Sequence, residues 1–268
     1  MNWKNLFSLT PSLKPDQARK LIETSAPDEV QVLDVRQPKE YEAGHLPGAR
    51  LIPLKELPGR LAELERDKPV VAYCAVGGRS RAAAQYLSGQ GFEEVHNLLG
   101  GIKAWQGGQA FGPESAGLEL LPAGADYDDA AALAFAMEDG LQRFYRRLAT
   151  ASGDTPLGRT YQRLAGFEEG HKARLAKEYR ARTGRDLEPA GSAELIEGGR
   201  TPAEPAATTP AEALEEAIGL EFQAQDLYQR LAQRSEAAAG RELFLALAAE
   251  EKEHLAFLER ELERLPEN

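Results

Sequence analysis

One cysteine, Cys74, serves all 268 residues, alongside two methionines, two tryptophans and four histidines. A lone thiol forms no disulfide within the chain and builds neither a cysteine-based zinc site nor a rubredoxin-type iron site. A disulfide-stapled scaffold is therefore excluded, and a reducing compartment is expected. No apolar run approaches the roughly 20 residues of a membrane span, and the opening MNWKNLFSLT lacks the apolar core of a secretory signal. These absences predict a soluble cytoplasmic protein with no membrane partner. Dense cationic blocks are missing too, and with a net charge of −11 there is no basic face to neutralise phosphates. That argues against nucleic acid as a partner.

The acidity is unevenly placed. Residues 1–110 carry 14 Lys and Arg against 13 Asp and Glu, whereas residues 111–268 carry 18 against 30. Two halves of different charge, in a chain longer than the roughly 150 residues of a common domain, predict two units. The acidic half either houses cations or is a set of well-solvated helices.

The texture changes at the same place. From Val30 to Leu99 the β-prone runs VQVLDV, ARLIPL, PVVAYC and EVHNLL alternate with the helical stretches LPGRLAELER and SRAAAQYLSGQG. That rhythm predicts an α/β domain over 1–110 with a parallel sheet and flanking helices. Residues 111–125, rich in Gly, Ala and Pro, read as a linker. Over 126–268 apolar residues recur at three- and four-residue steps in four long segments, near 127–151, 155–183, 210–236 and 239–265. They predict an all-α four-helix bundle whose second and third helices are joined by a crossover loop near 184–209.

Cys74 ends one of the apolar runs, where open α/β sheets present their ligand crevice. The segment Ala75-Val76-Gly77-Gly78-Arg79-Ser80 then turns into a helix beginning near Ser80. Gly77 and Gly78 let backbone amides curl around the sulfur, the helix N-terminus adds partial positive charge, and Arg79 adds a full one. Each lowers a thiol pKa and stabilises an anion attached to it. A small core residue followed by an ordinary glycine turn would look the same.

The helical half repeats itself. MEDGLQRFYRRLA (137–149) aligns with LEFQAQDLYQRLA (220–232) at a shift of 83 residues, which also carries Glu168 onto Glu251 and His171 onto His254. Residues three apart share a helix face, so Glu168 with His171, and Glu251 with His254, can each hold a metal. Glu138 and Glu221 would complete a two-metal cage whose oxygen and imidazole donors suit iron, manganese or zinc. Tyr145 and Tyr228, seven residues after Glu138 and Glu221, either hydrogen-bond a ligand carboxylate or are ordinary core aromatics. Gly170 weakens its helix by about 1 kcal/mol relative to Ala, which suggests close packing there.

VLDVRQPKEYEAGHLPGARLIPL and VVAYCAVGGRSRAAAQYLSGQGFEEVHNLLGGIKAW, in that order, resemble the rhodanese sulfurtransferase domain over about residues 10–108. The resemblance implies a catalytic Cys74 that takes a sulfane sulfur as a persulfide and passes it on. Donors would be thiosulfate or persulfides, and the acceptor a thiol or a protein. Arg79 would assist, and the loop including Ala75, Val76, Gly77, Gly78 and Ser80 would bind the substrate. Ala75 stands where rhodaneses often have Arg, which would make thiosulfate a poor donor. The Cys-x4-Arg spacing is one residue shorter than in phosphatases of the cell-cycle type, which favours sulfur over phosphate. Asp34, Arg36, Glu42 and His45 match the family's framework motifs, with Asp34 and Arg36 as a buried ion pair and GHLPGA as a turn. His96 and Trp105 are expected to pack.

Residues 126–265 resemble the rubrerythrin-type, ferritin-like di-iron bundle. The resemblance implies Glu138 and Glu221 as terminal ligands, Glu168 and Glu251 as bridging ligands, and His171 and His254 as imidazole donors. Position 224 is Ala, where rubrerythrins often have a further carboxylate, and no rubredoxin module accompanies the bundle, so an external electron donor is implied. The fusion would couple sulfur transfer to a redox or sensing bundle. A peroxidase or oxidase with an accessory rhodanese domain, and a persulfide- or iron-holding protein without turnover, are the alternatives. Amphipathic bundles often dimerise, so a homodimer is a further expectation.

Overall fold

The computed structural model describes residues 11–118, 121, 124–187 and 209–265. Most of the expected crossover near 184–209, and part of the 111–125 linker, lie outside them. Contacts divide the chain into two compact units. One runs to Ala116 and takes in Gly219–Arg230 and Leu245–Lys252; the other comprises Gly117–Ile218, Leu231–Phe244 and the chain from Glu253. In this division the middles of two bundle helices belong to the N-terminal unit.

In the first unit five strands form one parallel sheet in the order β1-β5-β4-β2-β3: β1 (Ser12–Leu13), β2 (Gln31–Asp34), β3 (Arg50–Leu51), β4 (Val70–Tyr73) and β5 (Val95–Leu98). Side chains of β4 alternate between two cores, as the two-residue period of a strand requires. Val70, Ala72 and then Cys74 join Ala83, Ala84 and Leu87 of helix α3 (Gly78–Gly89) on one face. Val71 and Tyr73 join Ala18 of α1 (Pro15–Thr24) and Tyr41 of α2 (Pro38–Glu42) on the other. Burial on both faces explains why PVVAYC is apolar throughout.

Two local readings are corrected. The stretch LPGRLAELER is not an α-helix but two 3-10 turns, Leu57–Gly59 and Leu61–Glu63. Pro58 and Gly59 interrupt the α-helical ladder, and Arg60 donates from Nε to Glu63 at 2.5 Å and from Nη1 to Glu56 at 3.1 Å. Helix α3 starts at Gly78, two residues before the expected Ser80.

The framework motifs are buried. Asp34 accepts from Arg36 Nη2 at 2.6 Å and from the Arg36 amide at 2.9 Å, and Arg36 Nη2 also reaches the Gly44 carbonyl. His45 stacks on Tyr41 at 3.6 Å, with Nε2 3.4 Å from Asp226 Oδ1. Asp226 further accepts from the Gly48 amide and from Arg230, which donates onward to the carbonyls of Glu114 and Ala116. Burial alone would push Asp226 up, but His45, Arg230 and the Gly48 amide hold it below the usual carboxylate range. Glu42 is exposed. His96 lies beside Glu94 at 2.7 Å, and Trp105 packs against the α1/α2 core.

Among the described residues the remaining helices are α4 (Tyr127–Ser152), α5 (Pro156–Thr183), α6 (Pro210–Arg234) and α7 (Ala238–Glu263). Their starts are written in the sequence. Asp126 accepts from the amides of Asp128 and Asp129, Thr155 from Gly158, and Thr209 from Glu212; Thr155 and Thr209 each precede a proline at the first helical position. Residues 153–155 alone join α4 to α5, so the two form a helical hairpin. Gly158 is needed there, since a Cβ would stand 2.1 Å from the Gly153 carbonyl oxygen. Gly170 has no such reason. Among the described residues nothing lies within 4 Å of where its Cβ would be, which corrects the close-packing expectation.

Candidate active site and metal centre

Cys74 follows β4 directly, with its side chain turned to the α3 core and 1% exposed. The chain then reverses through Gly77, whose φ of +95° lies in the left-handed region that favours glycine. The reversal aims amides back at the sulfur, and Gly77 N–H donates to Cys74 Sγ at 3.1 Å. Burial pushes the thiol pKa up. Hydrogen bonds from the Ser80 hydroxyl and from the amides of Ser80, Val76 and Gly77 outweigh it, leaving the thiol below its ordinary value. Ser80 Oγ is 3.5 Å from Sγ and donates to Asn97 Oδ1 at 2.7 Å. Ala75 is half-buried, Gly78 is exposed and Val76 is 62% exposed, so the loop's outer edge faces solvent.

A second segment fixes the loop from beneath. Ile102 N–H donates to the Cys74 carbonyl at 2.8 Å and Lys103 N–H to that of Ala75 at 3.2 Å. Gly101 makes this approach possible, for a Cβ there would lie 2.2 Å from the Cys74 carbonyl oxygen.

Arg79 interacts with Cys74 and, more strongly, with Glu40. Its fork is taken by Glu40, with Nη1 to Oε2 at 2.7 Å and Nη2 to Oε1 at 2.6 Å. The hydrogen bond from Arg79, against the opposing effect of burial, holds the Glu40 carboxyl down to about 2, and Arg79 is raised in return with Cys74 a lesser contributor. Reasoning from sequence missed Glu40, Asn97 and Gly101. Only the glycine pair at 100–101 left a visible signal.

In the second unit, α4 and α5 bring Glu138, Glu168 and His171 together, and α7 adds His254. His171 Nδ1 is 2.9 Å from Glu138 Oε2 and 3.3 Å from Glu168 Oε2, and His254 Nδ1 is 3.5 Å from Glu168 Oε1. The two imidazoles are parallel with centroids 4.9 Å apart. Glu168, His171 and His254 each offer a ligand atom within 4.8 Å of the others. In the first unit, Glu221 on α6 and Glu251 on α7 bring carboxylate oxygens within 4.8 Å of each other. All four glutamates are fully buried, and both histidines nearly so. Buried carboxylates beside imidazoles cost desolvation that a cation offsets, and hard oxygen with imidazole nitrogen suits iron, manganese or zinc. Tyr145 and Tyr228 are fully buried, and Tyr145 stacks on Tyr161 at 6.3 Å.

Comparison with known proteins agrees with both halves. The rhodanese-like domain family matches residues 14–107, and the rubrerythrin family matches residues 212–268. YqhL of Bacillus subtilis is 51% identical over 77 residues, covering 29% of this chain and 61% of that protein. A sulfurtransferase of Allochromatium vinosum is 42% identical over 78 residues, covering 29% of this chain and 73% of its own. The thiosulfate sulfurtransferase GlpE of Pseudomonas paraeruginosa is 38% identical over 94 residues, covering 35% and 82%.

Proposed function

Because this chain belongs to the rhodanese family and carries a rubrerythrin domain after the rhodanese-like one, we propose that it is a sulfurtransferase using Cys74, coupled to a dinuclear metal bundle. The observation that carries the reading is the Gly77 amide 3.1 Å from Cys74 Sγ, in a loop whose amides lower the thiol pKa. Cys74 thiolate attacks the outer sulfur of a donor. A new sulfur–sulfur bond forms, the donor's own sulfur–sulfur bond breaks, and the donor leaves with the electron pair as sulfite or a thiolate. An acceptor thiolate then attacks the persulfide's outer sulfur and releases Cys74 as thiolate. The loop amides hold the anion in both states.

In the bundle Glu138, Glu168, His171, Glu221, Glu251 and His254 would hold two metal ions, with iron the first choice. Bound iron would supply one-electron chemistry toward a sulfur species or peroxide. The chain's own part is to keep the ligands preset: the helix repeat of three residues places Glu168 with His171 and Glu251 with His254, and Tyr145 and Tyr228 would support ligand carboxylates.

Mass spectrometry of the full chain after incubation with donor tests the first claim. A gain of one sulfur atom is expected on the wild type and none on Cys74→Ala, with transfer to a thiol lost in that variant. Transfer undiminished in Cys74→Ala would sink the reading. A peroxidase with an accessory rhodanese domain is favoured by the buried carboxylate–imidazole cluster, and it predicts full-rate peroxide reduction in the same variant.

A further inference from the structure

Resting on that sulfur-transfer reading, we propose that Glu40 selects the donor: by holding Arg79 it disfavours dianionic thiosulfate and leaves Cys74 to organic persulfides, R–S–SH, on uncharged carriers.

A donor must bring its outer sulfur to Cys74 Sγ, past the loop of residues 75–80. Within it Ala75, Val76, Gly77 and Gly78 carry no charge, and Arg79 is the one cation. Both arms of its guanidinium are engaged by the two carboxylate oxygens of Glu40, at 2.6 and 2.7 Å. Glu40 is itself preset, since Oε2 accepts from the Gln37 amide at 3.1 Å as part of the cap of α2. The pair presents a nearly neutral rim rather than a cation. Arg36 is spent on Asp34 and the Gly44 carbonyl. Lys103 meets the loop through its backbone amide, and its exposed side chain is screened by water.

Thiosulfate must leave its sulfonate beside this rim, next to the negative Cys74 thiolate, where the Glu40 carboxylate offsets the Arg79 charge that would otherwise attract it. An organic persulfide brings a carbon chain instead, and the exposed Val76 side chain offers it apolar contact. The transfer balances without an oxidant. Cys74 thiolate attacks the terminal sulfur of R–S–SH, Cys74–S–SH forms, the donor's sulfur–sulfur bond breaks, and R–S⁻ departs with the electron pair.

Cys74 is the sole cysteine, so sulfur gained by the full chain reports on it alone. Loading rates are measured by mass spectrometry with thiosulfate and with the persulfide of 2-mercaptoethanol, for wild type, Glu40→Gln and Glu40→Asp. Gln can still cap α2, and the ratio of the two rates within each protein cancels general losses. The wild type is expected to favour the persulfide. Glu40→Gln should raise the thiosulfate-to-persulfide ratio about tenfold, less so at high salt, and Glu40→Asp should return it toward wild type. A ratio unmoved in Glu40→Gln, or a wild type that prefers thiosulfate, overturns the inference alone. Loading from neither donor overturns the transfer reading and the inference with it.

Discussion

Ser80 has one hydroxyl proton and two acceptors, Asn97 Oδ1 at 2.7 Å and Cys74 Sγ at 3.5 Å. Asn97 is the nearer while the thiol is neutral, but an anionic sulfur is the stronger acceptor and draws the proton when the thiolate forms. The hydroxyl therefore stabilises the charged state selectively, which is how it lowers the thiol pKa. Alkylation of Cys74 by iodoacetamide should rise with pH through an inflection below that of an ordinary cysteine. In Ser80→Ala that inflection should move up, at a stability cost of about 1 kcal/mol for the hydrogen bond lost by Asn97. An unmoved inflection would leave the backbone amides as the whole cause. This serine could be read from its place after the glycines. Asn97 and Glu40 could not, because they lie 17 and 39 residues from their partners and only the folded sheet brings them close.

Two glycines of one residue type carry opposite consequences at the level of elements. Gly101 lets the 3-10 turn Gly101–Ala104 press against the Cys74 loop, and it has a φ of +62°. Gly101→Ala should cost at least about 2 kcal/mol, from strain and from displaced backbone. Gly170→Ala, in the exposed middle of α5, should stabilise by up to about 1 kcal/mol. Thermal melts of the two variants should therefore shift in opposite directions. Sequence patterning anticipated β2 to β5 because parallel strands buried on both faces read as apolar runs, and it anticipated α4 to α7 because their apolar period is helical. It missed β1, whose two residues, Ser12 and Leu13, are too few to show a period. It overread LPGRLAELER because helical spacing outvoted Pro58 and Gly59. Spacing also cannot tell a glycine held by contact from one facing solvent, so Gly170 was misread.

At the scale of the molecule, the acidity of residues 111–268 includes four glutamates with no exposure at all, which general solvation of helices does not explain. Burying carboxylates is costly, and a fold that does so with imidazoles alongside gains when a divalent ion enters. The pattern was legible because Glu-x-x-His recurs at a fixed shift; its burial was not, since EEKEH alone reads as a solvated helix. Binding to the folded state adds RT ln(1 + [M]/Kd), about 2.7 kcal/mol at a hundredfold excess over Kd. For a domain of this size that corresponds to a rise in Tm of about 5 °C or more. Manganese(II) added to metal-free protein should produce such a rise, and chelation should reverse it. Glu168→Gln, which keeps the shape and removes one buried charge, should abolish the rise while leaving the metal-free melt at or above that of wild type. A merely structural glutamate would lower the metal-free melt instead. Less than one metal atom per chain after reconstitution, with an unmoved Tm, would remove the dinuclear site from the proposed function and leave sulfur transfer at Cys74 to stand alone.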